Sequence, residues 1–148
     1  MDEEPNGATV TWLGDRSWFS AAMPYGHQMD LDEPEPVGGN RGPRPPDLLL
    51  TAVASCSGIS AQAILAKMRQ PVTALTVHAS GERESDWPRA YTRILLSFEV
   101  TVGPGASRDL IEKAVNRAVK KYCPVSATIE SGEGGAVVDY QVDVREAG

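Results

Sequence analysis

A chain of 148 residues, 41% hydrophobic and 23% charged, fits one domain with a real core and is too mixed in sign for general disorder. Its net charge of −6 offers no basic surface to a phosphate backbone, so nucleic-acid binding is not expected. No stretch is expected to reach the ~20 apolar residues that cross a bilayer, and the acidic start Met1-Asp2-Glu3-Glu4 lacks the pattern of a signal peptide. A cytosolic protein without a membrane partner is the expectation. Ordinary thiols stay reduced in that compartment, so Cys56 and Cys123 are either inert core residues or chemically active ones, not a structural disulfide.

The chain reads as a single domain over residues 1–148. Residues 8–31 form a meander of short strands: Val10 and Trp12 alternate with threonines, Gly14-Asp15-Arg16 supplies a turn, and Gly26 breaks the chain before a third run. Residues 32–46 carry Pro34, Pro36, Gly38, Gly39, Gly42, Pro43, Pro45 and Pro46, which exclude a regular element. A loop of this length is either part of a site or a surface connection.

A helix starts at Pro46-Asp47, with proline tolerated in the first turn and Asp47 at the positive end of the dipole. It runs to Met68 and is apolar on most sides, as in a buried helix. Small Ser55, Ser57 and Gly58 allow another element to approach Cys56. Two antiparallel strands follow, Val72 to Ala79 and Ile94 to Val102, joined by a charged connection from Gly81 to Pro88. Ser107 caps a second, amphipathic helix, and Cys123-Pro124 ends it. Pro124 is placed to open a further short helical turn with Cys123 at its N-terminus. The last strand alternates Val138, Tyr140, Val142 and Val144 with polar residues. This order is α+β, because strands and helices do not alternate regularly. The body spans residues 47–145.

Only tertiary packing can bring the two cysteines together. If they meet, one thiolate can attack a peroxide oxygen to give a sulfenic acid, and the other can condense with it to a disulfide. An external dithiol must then restore both thiols. At an ordinary thiol pKa only about 3% is ionised at pH 7. A guanidinium about 4 Å away is worth roughly 4 kcal/mol at an effective dielectric of 20, or about three pKa units before desolvation. The arginines available are Arg16 in the first turn and Arg41 or Arg44 in the loop, and Asp47 can orient one of them through a bidentate pair. Composition alone favours a core role for Cys56, whereas Cys123 stands at a helix end beside Lys120 and Lys121. Trp12, Trp18, Phe19 and Met23 serve equally as core or as apolar pocket walls. His27 and His78 lack metal-ligand spacing, and the Gly38-Gly39 segment lacks the ending of a phosphate loop, so no metal and no cofactor are expected.

The segment Pro45-Pro46-Asp47-Leu48-Leu49-Leu50-Thr51-Ala52-Val53-Ala54-Ser55-Cys56-Ser57 resembles the helix motif of the OsmC/Ohr family, the osmotically inducible and organic hydroperoxide resistance proteins. Lys121-Tyr122-Cys123-Pro124-Val125-Ser126 resembles that family's second cysteine motif. The order of elements agrees from Ala8 to Val144, and the Gly38-Gly39 loop and Leu-Leu-Leu run are most like the OsmC-like branch. The resemblance implies antiparallel sheets around two central helices and an intertwined homodimer. It implies thiol-dependent reduction of organic hydroperoxides, with Cys56 peroxidatic, Cys123 resolving, and an external, lipoyl-type dithiol as reductant. The family's activating arginine matches Arg16, and Asp47 stands where its best-studied members carry glutamate. Two other classes stay open: a non-enzymatic stress-associated or ligand-binding module, and a thiol hydrolase using His27 or His78.

Overall fold

The computed structural model describes residues 5–148, and the acidic Met1–Glu4 start lies outside them. Contacts group the chain into two units, Met1–Leu49 and Leu50–Gly148.

In the first unit, alternation and tight turns build a three-stranded antiparallel sheet of β1 (Thr9–Trp12), β2 (Phe19–Ala22) and β3 (Gln28–Leu31), in that order. Trp12 faces Phe19 across β1–β2, and Phe19 faces Leu31 across β2–β3. The β1–β2 turn closes with the Leu13 N–H donating to the Trp18 carbonyl at 2.9 Å. Arg16 takes a left-handed conformation there, φ 44°, and the Trp12 indole N–H donates to its carbonyl. The sheet is thinly covered: every residue of β1 is exposed, and among the strand residues only Ala21 is buried. Trp12 is 56% exposed, so the expected apolar wall is largely bare.

The proline- and glycine-rich segment is ordered around one carboxylate. Asp32 is buried and accepts hydrogen bonds from Ser17 Oγ at 2.6 Å and from the backbone N–H groups of Glu33, Gly39 and Arg41 at 2.9, 3.0 and 3.3 Å. These donors, with the Ser17 hydroxyl foremost, outweigh burial and hold its pKa down at about 2. The segment is therefore wound about a fixed charge. Arg41 lies over the Trp18 ring at 4.4 Å and pairs with Asp15 at 2.5 Å.

The boundary between the units falls within α1 (Pro45–Lys67), whose 23 residues make it about 34 Å long. Contrary to expectation, it is long and apolar enough to cross a membrane by length and composition. It is also barer than a core helix: the stripe Val53, Ser57, Ala61 and Leu65 is buried, whereas Ile59 is 70% exposed. The stripe has the i, i+4 spacing of one helix face, and Leu50, Ala54 and Ile64 beside it on α1 are half-buried against the same core.

The second unit pairs β4 (Val72–Arg83) with β5 (Tyr91–Val102) and β5 with β6 (Val137–Glu146). The period-two pattern of β5 buries Ile94, Leu96, Phe98, Val100 and Val102. They pack with the α1 stripe and with Ile111, Ala114 and Val115 of α2 (Arg108–Arg117). Each large apolar side chain contributes roughly 1.5–3 kcal/mol by leaving water. Ser107 caps α2 as expected, accepting from the Leu110 N–H. Two expectations are corrected. The antiparallel arrangement holds for β4–β5, but β6 runs parallel to β5, because a helical crossover rather than a hairpin joins them. The β4 strand also continues through Gly81, which was expected to begin the connection. A side chain at Gly81 would meet the Tyr91 ring at 2.5 Å, so glycine lets the two strands keep pairing there.

Candidate functional site

The crossover from β5 to β6 is where the second cysteine is placed. After α2 the chain makes a π-helical turn, Ala118–Tyr122, and then α3 (Pro124–Glu130) begins. Cys123 lies between them in an extended conformation, φ −86° and ψ 106°, the geometry a residue before proline prefers. It is buried, and its sulfur caps α3 by accepting the Ser126 N–H at 3.2 Å. Pro124 sets the first helical φ and has no N–H, so the first donors of α3 belong to Val125 and Ser126.

Those two donors serve two sulfurs. The Val125 N–H donates to the thiol of Cys56 while the Ser126 N–H donates to Cys123. Cys56 is half-buried on α1 and lies within hydrogen-bonding reach of the Cys123 thiol. Burial raises the Cys56 pKa above its ordinary value of 9.0, and the hydrogen bond with Cys123 raises it further. The Val125 N–H works in the opposite direction, favouring the thiolate. Gly58 brings β4 close here, since a side chain would meet Val77 Cγ2 at 3.3 Å. Ser55 turns away, donating to the Thr51 and Ala52 carbonyls of its own helix. Ser57 is buried, and its hydroxyl finds no partner among the described residues.

The cations beside Cys123 are committed elsewhere. Lys120 donates to the Val138 carbonyl and pairs with Glu130, tying the π-helical turn and α3 to β6. Lys121 lies over the Tyr122 ring at 5.3 Å.

The remaining sequence candidates belong to the first unit. Arg16 donates to the Gly38 carbonyl at 2.7 Å and to Glu35 at 3.0 Å, with Asp15 at 3.6 Å. Glu35 is the chief cause that raises the pKa of Arg16, leaving its guanidinium permanently charged. Asp47 forms a bidentate pair with Arg44, both contacts at 2.9 Å.

The fold is shared with known proteins. The OsmC-like protein family model matches residues 38–133, more than half of the chain and a span within which Cys56 and Cys123 both lie. The chain belongs to the OsmC-like family. Protein YhfA of Escherichia coli K12 is 35% identical over 127 residues, covering 83% of this chain and 88% of YhfA. An OsmC-like protein from Mycoplasma pneumoniae superposes with a TM-score of 0.80 at 21% identity, covering 98% of this chain and 99% of that one. The organic hydroperoxide resistance protein OhrB of Bacillus subtilis does so with a TM-score of 0.59 at 19% identity, covering 95% and 98%. At such identities the two solved structures speak for the fold.

Sequence reasoning missed the Val125 and Ser126 N–H groups, because backbone donors leave no signature in residue type. Their one signal was the Cys123-Pro124 junction, which dictates where α3 can begin to donate.

Proposed function

We propose that this OsmC-like protein is a thiol-dependent peroxidase that reduces organic hydroperoxides. The observation that carries the reading is the pairing of Cys56 with Cys123 at the start of α3, each sulfur receiving one backbone N–H. The Cys56 thiolate attacks the outer oxygen of ROOH, and the O–O bond breaks. The leaving alkoxide takes a proton to give ROH, and Cys56 becomes a sulfenic acid. The Cys123 thiol then attacks that sulfur, forming the disulfide and releasing water. An external dithiol, of lipoyl type, supplies two electrons and two protons to restore both thiols, itself closing to a disulfide.

The half-buried Cys56 thiol, its pKa raised, needs a cation to ionise at neutral pH. The proposal gives that role to Arg16, with Arg41 and Arg44 as alternatives, and to Asp47 the orienting of an arginine, as it does for Arg44. The working form is a cytosolic homodimer, a reading supported by the bare apolar residues Ile59 on α1 and Val10, Trp12 and Phe19 on the N-terminal sheet.

The test is to treat the reduced protein with an organic hydroperoxide, block free thiols, and read intact mass beside peroxide consumption. Loss of two hydrogens with neither cysteine alkylated is expected. The reading fails if both cysteines stay alkylatable, or if Cys56→Ser consumes peroxide as fast as the natural protein. A second reading, a ligand-binding OsmC-like module with little turnover, is favoured by the raised pKa of Cys56, which makes the thiolate scarce.

A further inference from the structure

Both segments that flank Cys123 are tied to one residue of β6. Lys120, in the π-helical turn before the thiol, donates to the Val138 carbonyl. Glu130, at the end of α3 after it, accepts the Val138 N–H at 3.3 Å. The two side chains then pair with each other at 3.4 Å. Val138 is itself buried and stands opposite Ile94 of the core strand β5, so the anchor is fixed.

Glu130 also reaches back along α3. Its other oxygen accepts from the buried Ser126 hydroxyl at 3.5 Å, and the Ser126 N–H is the donor on the Cys123 sulfur. Gly135 brings the following turn against Glu130, where a side chain would meet the Glu130 carbonyl at 2.6 Å. With side chains 37% and 34% exposed, the Lys120–Glu130 pair adds little stability by charge alone. What it fixes is position, because the turn that leads into Cys123 and the helix that leaves it share one attachment.

We infer that Lys120 and Glu130 are positioning residues that hold the Cys123 thiol where it can bond to Cys56. The inference rests on the peroxidase reading for the step it serves, the condensation of the Cys56 sulfenic acid with the Cys123 thiol. There the S–S bond forms, the S–O bond breaks, and the hydroxyl leaves as water with the thiol proton. A thiol held in place makes the step effectively unimolecular. A thiol that wanders leaves the sulfenic acid to a second hydroperoxide, which transfers an oxygen to give the sulfinic acid and departs as an alcohol.

The test reads position first without peroxide. Equilibrate the full-length protein with reduced and oxidised dithiothreitol, then quantify the Cys56–Cys123 disulfide by thiol blocking and intact mass. Glu130→Gln and Lys120→Gln should each weaken the disulfide about tenfold or more in equilibrium constant, about 30 mV for two electrons. Lys120→Arg, which keeps the charge and the donors, should match the natural protein. Arg108→Gln, which breaks a comparable surface pair with Glu112, should match it too, so a general loss of stability is not what is read. On adding tert-butyl hydroperoxide, the two glutamine variants should accumulate Cys56 sulfinic acid where the natural protein accumulates disulfide.

A natural equilibrium constant in either glutamine variant would overturn the inference. So would a Lys120→Arg variant as weak as Lys120→Gln, or a natural protein that forms no disulfide against dithiothreitol. Equal sulfinic acid in variant and natural proteins, where the natural protein does close its disulfide with hydroperoxide, would also overturn it. Should Glu130→Gln not fold, Lys120→Gln decides alone. A disulfide that forms with dithiothreitol but not with hydroperoxide would sink the peroxidase reading and leave the positioning of Cys123 standing.

Discussion

The thiol of Cys56 hydrogen-bonds with the thiol of Cys123, although one lies in the middle of α1 and the other at the start of α3. Cys123 therefore alters the ionisation of Cys56. Removing Cys123 takes away the hydrogen bond and the charge that raise the Cys56 pKa. Cys123→Ala is accordingly expected to lower that pKa relative to the natural protein, so that alkylation of Cys56 speeds up at neutral pH. The rate of iodoacetamide labelling against pH measures this directly. A Cys56 that labels more slowly without Cys123 would contradict the geometry.

The arginine assignment makes a prediction with the opposite sign. Arg16→Met removes a cation and should raise the Cys56 pKa and slow peroxide consumption about tenfold or more, given the energies of nearby charges. Asp47→Asn and Arg44→Met should act as one unit, the double variant losing little more than either single variant. Measuring the same labelling profile in each variant identifies which arginine matters. An unchanged profile in Arg16→Met, Arg41→Met and Arg44→Met would remove all three from the mechanism.

Asp32 links the N-terminal unit to pH. Its carboxyl titrates at about 2 in the folded protein against 3.8 ordinarily. A depressed carboxylate stabilises fully above the unfolded value, and that contribution disappears as pH falls through the folded value. Asp32→Asn should therefore unfold at a lower temperature than the natural protein at pH 6. The gap should close progressively below pH 3.8 and be gone under pH 2. Melting curves across that range check both the sign and the window.

Ser57 lies in the core beside Cys56 with no partner for its hydroxyl among the described residues. Removing an unsatisfied buried hydroxyl avoids its desolvation cost, so Ser57→Ala should be neutral or stabilise by about 1 kcal/mol. Denaturant titration decides. A loss of stability beyond that range would mean the hydroxyl has found a partner in the assembled protein.

The bare face of α1 bears on assembly. Ile59→Lys places a charge on the 70% exposed position and is expected to weaken self-association about tenfold or more. Sedimentation across a dilution series reads the change. A natural protein that remains a folded monomer at micromolar concentration would remove the homodimer from the proposed function.

Much of this was legible in the sequence, for reasons that differ by element. The β5 strand declared itself because its period-two pattern matches a half-buried pleat, and α2 because Ser107 and the Leu110–Ile111–Ala114–Val115 stripe mark its start and its face. Cys123-Pro124 located the second thiol, since proline ends one helix and opens the next. The direction of β6 was not legible: alternation fixes which face is buried but is blind to which way a strand runs. Nor was the cover over α1, because an apolar helix reads alike whether its own chain or another surface buries it. The order of the 32–46 segment was hidden as well, since one buried aspartate organises it through backbone donors.

The parallel pairing of β5 with β6 also sets a sequence of events during synthesis. One flank of β5 stays open until residues 137–146 leave the ribosome, after both crossover helices have been made. For that interval the nascent chain carries an unpaired edge on its most apolar strand, the feature that invites contact with other chains. Closing late, β6 also shields that edge, so clipping those ten residues should leave β5 open to pairing with other chains.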